Sequence, residues 1–195
     1  MPKRADFRIY EKPGHLIRRL QQISFALFME ETRDFEITPV QYSAILAIDN
    51  HPGIDQTALC NIIAFDRSTI GDVVTRLERK KLIKRIPGVD DRRTKRLYIT
   101  SAGRQLIRDI EPAVQLTQKR ILEPLKINER VSFVQILKQL VHINNEHSRA
   151  PLRINERIRR RLASKRSSHA SAVSEEIISM GRGKRKTKIK TNRVL

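Results

Sequence analysis

The chain has a single cysteine, no long apolar run and few acidic residues. Cys60 alone cannot form an intrachain disulfide, which suits a reducing cytosol. No run approaches the roughly 20 apolar residues that a membrane span requires. Residues 1–15 contain no apolar segment ahead of a cleavage site, so we expect no secretory signal peptide. We therefore expect a cytoplasmic protein that does not use a membrane.

Motifs of catalysis are also missing. The sequence lacks GxSxG, HExxH, a P-loop and a dinucleotide fingerprint, and the GRGKRKT segment has the wrong spacing to cradle a phosphate. His142, Glu146 and His147 could share a helical face, but further ligands for zinc are missing nearby. Cys60 has apolar neighbours, which indicates a buried, inert thiol. We predict no enzyme activity, no catalytic residue, no metal and no cofactor.

Positive charge is what the chain has in excess. Its 40 Lys and Arg residues against 21 Asp and Glu give a net charge of +19 and an isoelectric point near 10.9. Such a balance predicts affinity for a polyanion such as nucleic acid. Residues 151–195 hold 14 Lys and Arg and 3 Glu, a net of +11, which leaves +8 for residues 1–150. The part that is expected to fold is therefore basic in its own right.

Apolar residues at helical spacing predict four helices in the N-terminal half. The first helix is long, starts at Pro13 and has a stripe formed by Leu16, Ile17, Leu20, Ile23, Phe25, Leu27 and Phe28. The next three are expected to begin at the N-caps Thr38, Asp55 and Asp66. The buried side of the fourth is predicted to consist of Ile70, Val73, Val74 and Leu77. Its opposite face is polar and exposed.

The period of the pattern changes after the fourth helix. Residues 82–86 and 95–99 are rich enough in β-branched and aromatic residues for strands, with turn chemistry between them. Thr100 is expected to cap a fifth helix that runs toward Pro124, and Asn128 a sixth. Both helices carry more apolar surface than one subunit could cover. Beyond Pro151 the periodicity fades, although residues 153–166 could continue as a basic helix.

Three helices, two strands and a further helix around residues 38–103 describe a winged helix-turn-helix. The sequence here resembles the MarR family of bacterial transcription regulators, over about residues 14–147. The resemblance rests on residues 53–59, on Asp66-Arg67-Ser68-Thr69 with Arg76-Leu77-Glu78, and on Asp91-Arg92-Arg93 followed by Ile99-Thr100 and Gly103. The family prefers Leu where this chain has Ile99, and often has Arg-Gly in place of Lys80-Lys81. Loss of that glycine could alter the angle between the fourth helix and the wing.

The resemblance implies a mainly α-helical fold with a small β-wing, in which a winged helix-turn-helix joins a helical dimerisation region. We expect an N-terminal arm at residues 1–12 and dimerisation helices at 13–36 and 101–150. The DNA-binding lobe would comprise residues 37–100. Residues 151–195 would form a basic, flexible tail.

The first turn of the fourth helix offers chemistry for reading DNA. Arg67 supplies a forked donor, and Ser68 and Thr69 supply hydroxyls, which suit base edges and phosphates in a major groove. Asp72 could accept from a cytosine amino group or orient Arg76, whose guanidinium would reach a phosphate. Gly71 would permit close approach. The alternative is that these residues form an ordinary helix cap and a solvated face.

In the wing, the resemblance implies that Asp91 fixes the guanidinium of Arg93 before it enters a minor groove, with Arg92 beside it. A narrow minor groove attracts arginine because its negative potential deepens. The alternative is a surface ion pair that contributes about 0–1 kcal/mol.

The resemblance also implies a homodimer and an effector. The apolar residues expected at the interface are Leu16, Leu20, Phe133, Leu137 and Leu140. A two-fold dimer sets its recognition helices about 34 Å apart, so its operator is palindromic. The family binds small aromatic or amphipathic effectors between the dimerisation helices and the DNA-binding lobe. The residues expected to meet such an effector are His15, Arg18, Arg19, Phe25 and Phe28, although solvated charges beside an interface stripe are the alternative.

We therefore predict a sequence-specific repressor on the bacterial nucleoid, bound to double-stranded DNA and released by an effector. An aromatic carboxylate or its acyl-CoA thioester is the expected effector. The competing hypothesis is an architectural nucleoid or RNA-binding protein that uses the same charge without reading sequence.

Overall fold

The computed structural model describes residues 9–88 and 93–154. Asp91 and Arg92 of the wing lie outside the described residues, as do positions 1–8 of the expected N-terminal arm and 155–195 of the expected tail. The helices are α1 (Pro13–Glu31), α2 (Pro39–Asn50), α3 (Gln56–Ile63), α4 (Arg67–Arg79), α5 (Ser101–Leu122) and α6 (Ile127–Ile143). The strands are β1 (Ile54–Asp55), β2 (Ile83–Pro87) and β3 (Lys95–Ile99), and 3₁₀ turns cover Ile9–Glu11, Arg33–Phe35 and Asn145–His147. The expected class, mainly helical with a small antiparallel sheet, is confirmed.

The described residues form two compact units. The first runs through Ile121 and includes Arg149–Leu152, and the second comprises Leu122–Ser148 with Arg153 and Ile154. In the first unit, β3 lies between β1 and β2 in an antiparallel sheet. Its core is lined by fully buried side chains from every layer: Ile37, Ile45, Ile48, Leu59, Ile70, Val74, Leu77, Ile83, Leu97 and Ile110. This core holds α2, α3, α4 and the sheet as one body.

Side-chain caps start α2, α3 and α4 at the predicted residues. The Thr38 hydroxyl accepts the Gln41 N–H at 3.4 Å, and the Gln41 side chain accepts the Thr38 N–H at 3.2 Å. The Asp55 carboxylate accepts the Ala58 N–H at 2.9 Å. Each cap satisfies backbone donors that the first turn of a helix leaves without an intrahelical partner.

Two local expectations were wrong, and one short strand was not predicted. Leu82 lies before β2, because its N–H bonds the Leu77 carbonyl at 3.0 Å in the turn that ends α4. The N-cap of α6 is Lys126 and not Asn128, because the Glu129 carboxylate accepts the Lys126 N–H at 2.8 Å. The pattern also missed β1, which consists of two residues.

Polar contacts join α5 to α1 and α2 within the first unit. The Tyr42 hydroxyl donates to Glu111 at 2.8 Å, and burial followed by this bond raises the pKa of the tyrosine. Arg120 pairs with Glu30 at 3.1 Å and with Glu31. These contacts link the helix that follows the wing to the first two helices.

Cys60 is buried in α3, as expected, and burial is the main cause that raises the pKa of its thiol. Among the described residues, every helix is too short or too polar to cross a membrane. The same residues hold no group of three or more His, Cys, Asp or Glu side chains that could bind a metal ion.

Candidate DNA-binding surface

Helix α4 has one buried and one exposed face. Its buried side consists of the four predicted residues Ile70, Val73, Val74 and Leu77. Arg67, Ser68, Asp72 and Arg76 are exposed, and Thr69 is half-buried. No ion pair joins Asp72 to Arg76, although both lie in the described part of the chain, so the structure does not show the orienting contact that the spacing allows. The exposed face presents cations and polar groups to solvent.

The first turn of α4 is organised by the Asp66 carboxylate. It accepts the Ser68 hydroxyl at 2.6 Å, the Thr69 N–H at 2.9 Å and the Thr69 hydroxyl at 2.9 Å. These bonds, the Ser68 hydroxyl first, hold the pKa of Asp66 far below its usual range. Since both hydroxyl protons point to Asp66, the lone pairs of Ser68 and Thr69 remain for a ligand. The two residues therefore offer acceptors, which suit the amino groups of adenine and cytosine.

The end of α4 is fixed to its surroundings by backbone and side-chain contacts. The Lys81 N–H bonds the Glu78 carbonyl at 2.8 Å, and Lys81 takes a left-handed conformation with φ of 60°. Together with the bond from Leu82 to Leu77 this is a Schellman turn, in which glycine is usual. The turn therefore forms without the glycine that the family often has. Arg85 of β2 donates to the Glu78 carboxylate through Nε at 2.7 Å and lowers the pKa of Glu78.

The wing is described on both sides of its tip. The Gly88 N–H bonds the Thr94 carbonyl at 2.8 Å, which brings the ends of the two strands together. Arg93 is exposed beside this bond. The contact expected between Asp91 and Arg93 lies outside the described residues, as does Arg92. Arg93 and the polar face of α4 belong to the same compact unit.

An open cleft of about 580 Å³ lies between α3 and β3. We call it the α3–wing cleft, and it is lined by Asp55, Gln56, Thr57, Ala58, Asn61, Arg93, Thr94 and Lys95. Apart from Arg93, these residues were missing from the predicted DNA-binding residues, and Asp55 was predicted only as the N-cap of α3. The available signal was the run of polar residues directly after the Asp55 cap.

The residues proposed for an effector lie along α1. His15 is half-buried and meets the Tyr10 ring edge-on, with 5.6 Å between ring centroids. Arg18 and Arg19 are exposed and both donate to Gln22, at 3.3 and 3.2 Å. These three basic side chains are close in sequence and lie within one helical turn.

The two phenylalanines differ in accessibility. Phe25 is 46% exposed, whereas Phe28 is only 5% exposed and packs in the core, 6.0 Å from the Tyr42 ring. His15 and Phe28 are about 20 Å apart along the helix axis. The structure therefore does not bring Phe28 together with the basic residues of α1.

Large apolar side chains remain exposed on α1 and on α6. Leu16 is 51% exposed, and Leu137 and Leu140 are 36% and 47% exposed. Leu20 and Phe133 are half-buried, and α6 buries none of its residues. Exposed apolar area of this extent on two helices is typical of surfaces that bind another protein.

A helix-turn-helix with an exposed polar helix and an adjoining wing defines a winged DNA-binding protein. Residues 37–95 match the model of the MarR family. A putative regulatory protein for the hcr operon of Thauera aromatica is 35% identical over 134 residues, which cover 68% of this chain and 81% of that protein. The repressor NicR of Pseudomonas putida is 27% identical over 137 residues, which cover 70% and 87%.

Solved structures agree with the sequence relatives. BpsR of Bordetella bronchiseptica, whose DNA binding is regulated by 6-hydroxynicotinic acid, superposes with a TM-score of 0.65. It is 26% identical, and the match covers 70% of this chain and 97% of BpsR. The chain thus belongs to the MarR family and is a transcriptional regulator, which confirms the family predicted from the sequence.

Proposed function

We propose that this regulator is a homodimeric repressor that binds a palindromic operator and leaves it when a small effector binds. The observation that carries the proposal is the exposed polar face of α4 in the same compact unit as the exposed Arg93 of the wing. Such an arrangement can read a major groove and the neighbouring minor groove together. The name of NicR as a repressor supports the direction of regulation.

Five residues of α4 have proposed roles. Arg67 donates to a base edge or a phosphate, and Ser68 and Thr69 accept from base amino groups. Arg76, about two turns further along the helix, binds a phosphate. Asp72 accepts from a cytosine amino group. Asp72 was also predicted to orient Arg76. Since the structure describes both residues and shows no ion pair between the two, the contact of Asp72 with cytosine is favoured.

The dimer is supported by the exposed apolar residues of α1 and α6. Removing about 100 Å² of apolar surface from water contributes roughly 2.5 kcal/mol, so several leucines and phenylalanines can stabilise an obligate interface. Residues 13–36 and 101–150 then form the dimerisation region, and residues 37–100 form the DNA-binding lobe. A two-fold axis between the subunits requires an operator with the same symmetry.

The effector is proposed to be an aromatic carboxylate or its acyl-CoA thioester. His15, Arg18 and Arg19 would meet the anionic group, and Phe25 would contact the aromatic ring. The regulation of BpsR by 6-hydroxynicotinic acid supports this chemical class. Titration of the repressor–operator complex with a panel of aromatic acids tests it. Release that persists unchanged after Arg18→Ala and Arg19→Ala would remove these residues from the site.

An architectural nucleoid or RNA-binding protein is the second candidate, and the net charge of +19 favours it. The two functions differ in sequence discrimination. A regulator binds its operator roughly 10³-fold or more tightly than random DNA at fixed salt. A comparison of a promoter fragment with random DNA and RNA of equal length therefore tests the proposal. Equal affinities for all three would favour the architectural function.

Substitution of the wing arginine tests the minor-groove contact. Arg93→Ala is expected to weaken operator binding by about 1–3 kcal/mol without changing dimerisation or melting, because an exposed wing residue has no core contacts. Asp91→Ala should cost less, since it acts only through the arginine. Fluorescence anisotropy with labelled operator measures both. Unchanged affinity in both variants would exclude the wing from the mechanism.

Substitutions in α4 separate base contacts from phosphate contacts. Ser68→Ala and Thr69→Val should alter which sequences are selected from a randomised operator library, because these residues face base edges. Arg76→Ala should weaken all sequences alike, because a phosphate carries no sequence information. Thermal melting controls for loss of the Asp66 hydrogen bonds. Identical selection profiles for all three variants would contradict the proposed orientation of α4.

A further inference from the structure

Apart from Arg93, the residues of the α3–wing cleft have no role in the contacts assigned so far. Its α3 side carries Gln56, Thr57 and Asn61, and its wing side carries the cations Arg93 and Lys95. The carboxylate in the cleft, that of Asp55, is 3.5 Å from the Arg96 guanidinium and also accepts the Ala58 N–H. Its charge is thus balanced within the protein, and the cleft can receive an anion.

The contacts of the cleft place it between α4 and the wing. The side-chain nitrogen of Gln56 lies 3.5 Å from the position that a Cβ on Gly71 of α4 would occupy. On the other side, Asp55 pairs with Arg96, and Ile54 pairs with Leu97, both on β3. The cleft therefore lies between α4 and the wing, the two elements that are proposed to enter neighbouring grooves.

Neighbouring grooves of a duplex are separated by one sugar–phosphate backbone. If α4 occupies the major groove and Arg93 the adjacent minor groove, that backbone must cross the α3–wing cleft. The inference rests in this respect on the proposed function. The lining also fits phosphate better than an aromatic effector, since Ala58 is the only apolar residue among the described residues that line the cleft. Small-molecule sites are usually lined predominantly by apolar side chains.

We propose that the α3–wing cleft seats a backbone phosphate, with Lys95 as its ionic partner and Thr57 and Gln56 as hydrogen-bond donors. Side chains of these three types commonly contact phosphate in protein–DNA complexes. The contact carries no sequence information. Its effect is to fix the register of α4 and the wing on the duplex at the same time.

Substitution of Lys95 and Thr57 in the full chain tests the contact. Lys95→Gln is expected to lower affinity for operator and random DNA by the same factor, about tenfold, and to reduce the slope of log K against log salt by about 0.9. Thr57→Val should lower both affinities about threefold and leave the slope unchanged, because it removes a neutral donor. Lys119→Gln, an exposed lysine in the last turn of α5, is the matched control and should change neither quantity.

Neutral methylphosphonate linkages, introduced one at a time into the DNA, locate the phosphate. In the wild-type protein, one position per half-site, on the backbone between the two contacted grooves, should weaken binding about tenfold. Lys95→Gln should be insensitive to that position and normally sensitive elsewhere. If the wild type and the variant are equally sensitive to methylphosphonate at every position, the proposed phosphate contact in the cleft is wrong. A Lys95→Gln variant that binds DNA normally but no longer responds to an anionic effector would also contradict it.

The same measurements keep the two proposals apart. A wild-type protein that shows no preference for a promoter fragment contradicts the repressor function. The contact between Lys95 and one phosphate can also be measured on a nonspecific duplex. The phosphate contact can therefore be confirmed even if the protein shows no sequence specificity. Conversely, if the protein is a specific repressor but its Lys95 variant keeps the wild-type salt slope, only the proposed phosphate contact in the cleft is contradicted.

Discussion

Gly103→Ala is expected to lower the free energy of unfolding by about 3 kcal/mol, at the upper end of the cost of overpacking a core. Gly103 is buried in the first turn of α5. A Cβ built on it would lie 2.2 Å from the Leu82 carbonyl oxygen and 2.7 Å from the Ile99 side chain. The first distance is far below any van der Waals contact, and the obstructing atom belongs to the backbone.

The Leu82 carbonyl cannot move aside without breaking other contacts. It accepts the Thr100 N–H at 3.0 Å and the Thr100 hydroxyl at 3.0 Å. The Thr100 hydroxyl oxygen also accepts the Gly103 N–H at 3.1 Å and so starts α5. The glycine therefore allows the beginning of α5 to pack directly on the chain between α4 and β2. The higher helix propensity of alanine, worth about 1 kcal/mol, offsets only part of the cost.

Gly14→Ala is the matched control, because nothing lies within 4 Å of a Cβ at that position in α1. It should leave stability unchanged or raise it by up to about 1 kcal/mol. Urea unfolding followed by circular dichroism, at one fixed protein concentration, measures both variants. Equal stability of Gly103→Ala and the wild-type protein would show that α5 does not pack on Leu82 as described.

The elements that sequence predicts well are those set by local chemistry. Asp55 and Asp66 begin helices because a carboxylate satisfies backbone N–H groups a few residues ahead, and this interaction needs nothing from the rest of the fold. The buried face of α4 follows from helical spacing in the same way. The fold class was predictable from the order of such elements.

What the sequence could not supply depends on partners distant in the chain. β1 has only two residues and exists because Ile54 pairs with Leu97, more than 40 positions later. Phe28 has the same spacing as the exposed residues of α1, but Tyr42 of α2 packs against its ring. The α3–wing cleft likewise arises when α3 meets β3. A helical pattern shows which face is apolar, and not which neighbour covers it.

The chemistry of Ser68 and Thr69 shows a similar limit. Their residue types predict hydroxyls that can donate or accept a hydrogen bond. In the structure both hydroxyls donate to the Asp66 carboxylate. The direction of a hydrogen bond depends on the side chain that is already nearby. Helix position alone therefore predicted that these residues face the DNA. It did not predict whether they accept hydrogen bonds from bases or donate to them.

Removal of residues 151–195 is expected to produce the largest change in DNA binding. The truncated chain loses a net charge of +11 and, on our interpretation, no core packing and no base contact. It should fold, dimerise and still prefer its operator. Binding to random DNA should weaken sharply, because each lost phosphate contact reduces the slope of log K against log salt by about 0.9. Loss of five contacts would flatten the slope by about 4.5.

A competing hypothesis makes a different prediction for the same truncation. If residues 153–166 extend α6 into the dimer interface, their removal should lower thermal stability and make dimerisation dependent on concentration. Sedimentation at several protein concentrations distinguishes the two, with salt titrations of operator and random DNA run in parallel. A full-length variant in which the seven Lys and Arg of residues 180–195 are replaced by glutamine is the control, since it removes charge and leaves 153–166 intact. Suppose that this variant has the same salt slope as the truncated protein, but that only the truncated protein is monomeric. The C-terminal region then contains both a structural segment and a cationic segment, and the domain boundary at Pro151 is wrong.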